Sequence, residues 1–219
     1  MIAIEDINWL HIELSSKCQA ACPLCPRNDY GYKTRTDFPI AELSIGQFRS
    51  IFDNVDNLRS LQKILFNGNF GDPTMAEDFV EILEYCYQKW PNINILVHTN
   101  GGIRNPNWWS AHAQKFLNKK LTIYFSIDGL EDTNHIYRIN VPYSKVIANA
   151  TAFINAGGTA LWKIIKFQHN QHQLEIAQQR SKELGFKFFQ IIDDNRDYGF
   201  VFTTDTDGYW ILPGDGKNK

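Results

Sequence analysis

Three cysteines lie close together near the amino terminus, at Cys18, Cys22 and Cys25. Their C-x3-C-x2-C spacing directly follows a strand-like segment, residues 9–14. Three thiolates on one short loop can bind three irons of a [4Fe–4S] cluster, which leaves the fourth iron without a protein ligand. The spacing therefore predicts an iron–sulfur site with one iron open for chemistry.

A structural zinc site is the alternative use of such a triplet. Structural zinc usually has four ligands, often as two Cys pairs or with a histidine close by. The nearest histidine, His11, lies inside the predicted strand, and Cys86 has the helical spacing of a core residue. The pattern favours iron and sulfide, with zinc and inert thiols as the two alternatives.

Strand-like segments alternate with helical patterns along most of the chain. The strands are rich in Ile, Leu, Phe and Tyr, which is typical of a covered parallel sheet. They comprise residues 9–14, 61–66, 93–98, 121–127, 161–167 and 186–192. Helical patterns occupy residues 45–55, 75–89, 106–117, 144–157 and 172–184, with Ser44 and Ser144 as N-caps. This order predicts an α/β fold, a partial (β/α)6 barrel of parallel strands like part of a TIM barrel.

Unusual polar segments follow each predicted strand. They are the cysteine loop and residues 67–73, 99–102, 126–129, 168–172 and 193–194. The carboxyl ends of parallel strands form one face, where active sites of such folds lie. We therefore expect these segments to meet around the cluster. Four histidines on or near this face are candidates for substrate contact or proton transfer: His98, His135, His169 and His172.

The cysteine spacing resembles the signature of the radical S-adenosylmethionine (radical SAM) enzymes. The run at residues 67–73 resembles the Gly-Gly-Glu-Pro motif of that family, with Asp72 where Glu is more usual. The stretch from Ser126 through His135 to Arg138 is similar to the Ser-Ile-Asp-Gly…His…Arg stretch found in one branch of the family. Members of that branch often carry C-terminal SPASM or twitch domains. The resemblance covers roughly residues 8–192.

The resemblance implies that S-adenosyl-L-methionine (SAM) binds the open iron through its amino and carboxylate groups. The Gly71 carbonyl and the Asp72 side chain would receive the ammonium group. Ser126 and Arg138 would approach the SAM carboxylate or ribose, since arginine pairs well with carboxylates.

Two further residues are expected to contact SAM. The backbone of Leu24 would contact the adenine, although the family usually has an aromatic residue there. Asn100, after the third strand, is a candidate ribose contact, and a turn residue beside Gly101 is its alternative role.

The resemblance also implies an activity and its partners. A low-potential reductant, flavodoxin or ferredoxin, would supply an electron that cleaves SAM. The 5′-deoxyadenosyl radical would then abstract hydrogen from a substrate, which the branch suggests is a peptide or protein. The rival hypotheses are a non-catalytic cluster- or SAM-binding subunit, which needs a partner chain to complete its barrel, and a zinc-binding structural domain.

Composition narrows the class of protein further. The chain has 219 residues and a formal net charge of −2, which argues against a general nucleic-acid-binding surface. Neither an apolar membrane span nor a signal peptide is evident. The cysteines do not form a disulfide framework, so a reducing cytoplasm is the expected compartment.

We expect a core domain at residues 1–192 and an extension at residues 193–219. Residues 201–212 of the extension are expected to form a hairpin turning at Asp207 and Gly208. The extension has no cysteine that could bind an auxiliary cluster.

Overall fold

The computed structural model describes residues 3–29, 33–194, 202–203 and 210–211. The strands in these ranges are β1 (Trp9–Glu13), β2 (Asn28–Asp29), β3 (Lys33–Thr34), β4 (Lys63–Asn67), β5 (Asn94–Thr99), β6 (Leu121–Ser126), β7 (Thr159–Lys166), β8 (Phe188–Asp193), β9 (Phe202–Thr203) and β10 (Trp210–Ile211). The α-helices there are α1 (Ile45–Phe52), α2 (Phe79–Lys89), α3 (Pro106–Lys115), α4 (Asn134–Tyr137), α5 (Tyr143–Asn155) and α6 (Leu174–Glu183).

Six strands form one parallel sheet in the order β1-β4-β5-β6-β7-β8. The order in the sheet repeats the order in the chain, with the longer helices between successive strands from β4 onward. The α/β prediction is therefore confirmed, and each large strand begins and ends within two residues of its predicted bounds. The short pair β2 and β3 lies within the loops after β1 and was not predicted.

The first helix begins as predicted. The Ser44 side chain accepts a hydrogen bond from the Gln47 backbone N–H, and Gln47 reciprocates in a capping box. The second helix begins at Phe79 rather than residue 75, because a separate 3-10 helix, Pro73–Met75, precedes it.

The later helix starts also differ from prediction. Ser144 does not cap α5, because the helix begins one residue earlier with Pro142 at the N-cap position. A 3-10 helix, Gln171–Gln173, replaces the expected first turn of the last helix, which begins at Leu174. Helix α4 is short and was not predicted, since four residues give too little periodicity to recognise.

Helices pack on one side of the sheet through large aromatic side chains. Trp109 of α3 lies 5.1 Å from Phe125 of β6 and 5.9 Å from Phe153 of α5, between ring centroids. All three are essentially inaccessible to solvent, and burial of each contributes roughly 1.5–3 kcal/mol. Along β5 and β6, fully buried residues alternate with half-buried ones. The half-buried residues His98 and Ser126 line a cavity on the opposite face.

The predicted carboxyl-terminal hairpin is present as an antiparallel pair, with β9 bonded to β10. Its predicted turn at residues 207–208 lies outside the described residues. Among the helices that the structure describes, none is both long enough and apolar enough to cross a membrane.

Candidate active site

A cavity of about 360 Å³ lies at the carboxyl ends of the parallel strands. Every residue predicted to bind the cluster or SAM lines it: Cys18, Cys22, Leu24, Cys25, Gly71, Asp72, Asn100, Ser126 and Arg138. These residues come from the cysteine loop and from the segments at or beyond the ends of β4, β5 and β6. A second, more open cavity of about 820 Å³ lies near the amino ends of β4 and β5 and includes none of them.

The cysteine loop is held by hydrogen bonds to its own backbone and to neighbouring segments. The Ala21 N–H donates to the Ile139 carbonyl at 3.1 Å, which ties the loop to the segment after α4. The buried Arg27 donates through Nε to the Ser16 carbonyl at 2.8 Å. The loop is thus fixed at both ends around the three sulfurs.

A close approach of backbones joins this loop to the segment after β4. The Asp72 N–H donates to the Lys17 carbonyl at 2.8 Å. A Cβ at Gly71 would lie 1.9 Å from the Ser15 carbonyl oxygen, so only glycine fits there. The glycine at this position therefore has a direct steric cause.

Three cysteine sulfurs from one loop line the same cavity. Zinc needs its ligands around one point, whereas a [4Fe–4S] cluster binds each thiolate at a different iron. The donor set of three cysteines on one cavity wall therefore fits a cluster with one open iron.

Burial favours the protonated form of the Cys18 and Cys22 thiols. It raises the pKa of Cys18 to about 12, with a smaller contribution from the nearby Asp72 carboxylate. Burial also raises the pKa of Cys22, while the positive charge of Arg138 opposes that shift. Metal binding to these residues must therefore release protons.

Two side chains from the sheet ends donate hydrogen bonds to the sulfurs. Asn100 Nδ2 lies 3.5 Å from Cys18 Sγ, and Arg138 Nη1 lies 3.6 Å from Cys22 Sγ. Both residues were predicted as SAM contacts, and the sequence gave no indication of a sulfur contact.

The Asp72 carboxylate is buried and accepts several hydrogen bonds. Its Oδ1 accepts from the Thr74 N–H at 3.0 Å and the Thr74 hydroxyl at 2.7 Å. Its Oδ2 accepts from the Thr99 hydroxyl, the Asn100 N–H and Asn100 Nδ2, each at 2.8 Å. A carboxylate has about four acceptor sites, so intramolecular donors already occupy this one.

Arg138 forms a buried ion pair, in contrast to the surface pair that a lone arginine would suggest. Its Nε donates to Asp128 Oδ2 at 2.6 Å, and Asp128 is fully buried. The other carboxylate oxygen accepts from the Ile165 N–H at 2.6 Å. Burial alone would lower the pKa of Arg138, but the Asp128 carboxylate acts together with Cys22 and Tyr137 to raise it, so the guanidinium stays charged.

Of the four candidate histidines, His98 lines the cavity and the other three do not. Its ring stacks on Tyr124 with centroids 4.5 Å apart. Burial, assisted by the positive charge of Lys163, lowers the pKa of His98 to about 4. The imidazole is therefore neutral at pH 7.

The remaining histidines lie away from the cavity. His135 and His172 are exposed to solvent. His169 stacks on Phe167 with centroids 5.3 Å apart, and its ring nitrogens are buried without a hydrogen-bond partner among the described residues. Burial lowers the pKa of His169 to about 4. All three follow predicted strands in the sequence, but none of them lines the cavity.

Sequence reasoning missed Lys163, which lines the cavity from β7 opposite Ser126 of β6. The signal was available, because Lys163 interrupts an otherwise apolar run inside the strand. Tyr137, Asn28 and Asn69 also line the cavity. They lie in short or irregular segments whose orientation no periodicity could indicate.

The sequence matches no protein-family model and no curated protein sequence. The fold, however, matches solved structures of radical SAM enzymes. SuiB of Streptococcus suis bound to S-adenosylmethionine superposes with a TM-score of 0.68 at 16% identity, over 88% of this chain and 42% of that one. The enzyme anSMEcpe with bound AdoMet gives a TM-score of 0.64 at 21% identity, over 84% of this chain and 49% of that one.

SuiB has also been solved bound to its precursor peptide SuiA. That structure matches with a TM-score of 0.65 at 17% identity, over 84% of this chain and 38% of that one. This chain thus spans less than half the length of each of these three structures. The likeness shows that the chain has the radical SAM core fold, a partial barrel of six parallel strands.

Proposed function

We propose that this protein is a radical SAM enzyme. The observation that carries the proposal is that one cavity of a radical SAM fold is lined by all three cysteines and by every predicted SAM contact. These residues come from separate parts of the chain. When bound there, a [4Fe–4S] cluster would supply the electron that cleaves SAM, and the resulting 5′-deoxyadenosyl radical would take a hydrogen atom from the substrate.

The chain's own residues would bind and orient these groups. Cys18, Cys22 and Cys25 would ligate three irons. The Gly71 carbonyl and Ser126 would bind the methionine part of SAM, together with the Arg138 guanidinium, whose charge suits a carboxylate.

Leu24 and Asn100 would contact the adenosine part through backbone and side chain respectively. Both line the same cavity as the cysteines. Of the candidate histidines, His98 would meet a substrate there, in the neutral form that can accept a proton.

The proposal extends to substrate, partners and compartment. The precursor peptide bound to SuiB supports a peptide substrate for this chain. A flavodoxin or ferredoxin would deliver the electron, in the cytoplasm. We assign this chemistry to residues 1–192, with residues 193–219 as an extension.

The first test is anaerobic reconstitution of the protein with iron and sulfide. After reduction with dithionite and addition of SAM, we expect a [4Fe–4S] EPR signal that SAM perturbs, together with 5′-deoxyadenosine. Cys18→Ala should lose both. Cys86→Ala is the matched control, because Cys86 is buried in α2 away from the cavity and should keep both.

Each other outcome points to a rival function. A stable cluster that binds SAM without cleaving it would indicate a non-catalytic subunit that needs a partner chain. Bound zinc without iron or sulfide would indicate a structural zinc domain. Normal SAM cleavage by Cys18→Ala would refute the assignment of the cysteines.

A further inference from the structure

Two of the cysteine sulfurs face a nitrogen donor, and each donor is held by a buried aspartate. Asn100 Nδ2 donates to Cys18 Sγ at 3.5 Å and to Asp72 Oδ2 at 2.8 Å. Arg138 donates to Cys22 Sγ through Nη1 at 3.6 Å and to Asp128 Oδ2 through Nε at 2.6 Å. The same three-part arrangement, carboxylate to donor to sulfur, thus occurs twice in one cavity.

Asp72 is bound too tightly to its neighbours to move easily. Besides Asn100, it accepts hydrogen bonds from Thr74 and Thr99, and it is 2% exposed. These partners come from the 3-10 helix after β4 and from the end of β5. Asp72 therefore fixes the end of β5, and with it the direction of the Asn100 amide.

Asp128 fixes the position of the Arg138 side chain, as Asp72 fixes that of Asn100. It is fully buried, and its second oxygen accepts from the Ile165 N–H of β7 at 2.6 Å. The carboxylate compensates the guanidinium charge, which would otherwise be costly in a site of low solvent access. The fork of Arg138 is thereby held with Nη1 toward the sulfur.

We infer that Asp72 and Asp128 are positioning residues for the cluster, which hold Asn100 and Arg138 as donors to the ligating sulfurs. This inference rests on the proposed [4Fe–4S] site. Hydrogen bonds and positive charge at cluster sulfurs stabilise the more negative, reduced state and so raise the reduction potential. The inference gives Asp72 a different role from the ammonium contact that the motif implies.

The test uses Asp72→Asn and Asp128→Asn in the full chain. An asparagine amide cannot replace either carboxylate, because one of its two ends is a donor and would face an N–H donor. Loss of the carboxylate charge alone would raise the midpoint potential of a nearby cluster. A more negative potential in an EPR-monitored redox titration without SAM, which we expect for each reconstituted variant, therefore reports the loss of the sulfur donors. Cluster loss to an iron chelator should accelerate by roughly tenfold to a hundredfold.

Asp53→Asn is the matched control. Asp53 accepts a hydrogen bond from the Tyr85 hydroxyl at 2.7 Å and does not line the cavity, so this variant should keep the wild-type potential and chelation rate. Should a buried variant fail to fold, as judged by circular dichroism, Asn100→Ala and Arg138→Lys replace it. Asn100→Ala removes the donor to Cys18 Sγ, and Arg138→Lys removes the fork whose two nitrogens reach Asp128 and Cys22 Sγ together, so both should lower the potential in the same way.

The outcomes separate this inference from the proposed function. Failure of the wild-type protein to assemble a [4Fe–4S] cluster would overturn both. A wild-type protein that cleaves SAM, with variants of unchanged potential and chelation rate, would overturn only the positioning role. For Asp72, a loss of SAM affinity at unchanged potential would show that it binds SAM directly, as the motif implies.

Discussion

Replacing Gly71 with alanine should separate the cysteine loop from the segment after β4. The new Cβ would lie 1.9 Å from the Ser15 carbonyl oxygen and 2.8 Å from Ser16 Cα. Both are backbone atoms, so no side-chain rotation can relieve the overlap. Gly71 does not have a positive φ, and the expected effect is therefore a clash rather than torsional strain.

The magnitude follows from the cost of overpacking. Inserting a methyl group into a well-packed site costs about 1–3 kcal/mol, and so short a contact with backbone belongs at the upper end. For a chain of this length, a loss of about 3 kcal/mol lowers Tm by roughly 6–12 °C. The displaced loop should also bind less iron, because Lys17 and Asp72 would lose their 2.8 Å hydrogen bond.

Gly46→Ala is the control for this substitution. Gly46 lies in α1, and an added Cβ would meet nothing closer than Ser44 Oγ at 3.9 Å. Alanine should stabilise that helix by roughly 0.5–1 kcal/mol. Urea unfolding of the metal-free proteins, followed by tryptophan fluorescence, measures both variants. Equal unfolding free energies for the two alanine variants would refute the steric reasoning.

Two further predictions concern stability. The pKa values of His98 and His169 are lowered by burial to about 4, from a usual 6.5. Between pH 6.5 and 4 the unfolded chain therefore binds protons that the folded chain does not. As the pH is lowered through this range, the free energy of unfolding should decrease by up to about 1.4 kcal/mol per pH unit for each histidine. Urea unfolding across this range should show a clearly weaker slope for H98Q/H169Q; an unchanged slope would contradict it. Buried Asn149 donates hydrogen bonds to the Gly101 and Ile103 carbonyls at 2.8 and 3.2 Å. Asn149→Ala should therefore lower the free energy of unfolding by roughly 1–3 kcal/mol. A wild-type unfolding free energy for this variant would disprove the role of Asn149.

Much of this architecture could be predicted from local pattern. The strands were found to within two residues, because runs of apolar residues bounded by polar segments are a strong signal. The meeting of the cysteines with Gly71 and Ser126 followed from the geometry of parallel strands alone. Helix starts were harder, since at Pro142 and Gln173 the neighbouring turns compete with the helix for the first residues.

What the sequence could not supply were contacts between distant segments. Thr99 and Asn100 donate hydrogen bonds that fill acceptor sites of the Asp72 carboxylate. These residues reach Asp72 because β4 pairs with β5. The ion pair between Asp128 and Arg138 depends on the turn that α4 makes between them. Such contacts are set by tertiary packing, on which local composition carries no information.

The agreement between sheet order and chain order has a consequence for biosynthesis. The cysteines leave the ribosome well before the residues that donate hydrogen bonds to their sulfurs. Cys18 precedes Asn100 by 82 positions, and Cys22 precedes Arg138 by 116. The last wall of the cavity, β7, emerges later still. A cluster delivered during translation would meet a loop without walls or donors. We therefore expect the proposed cluster to be inserted after β7 has been synthesised, when the three cysteines and their hydrogen-bond donors form one cavity.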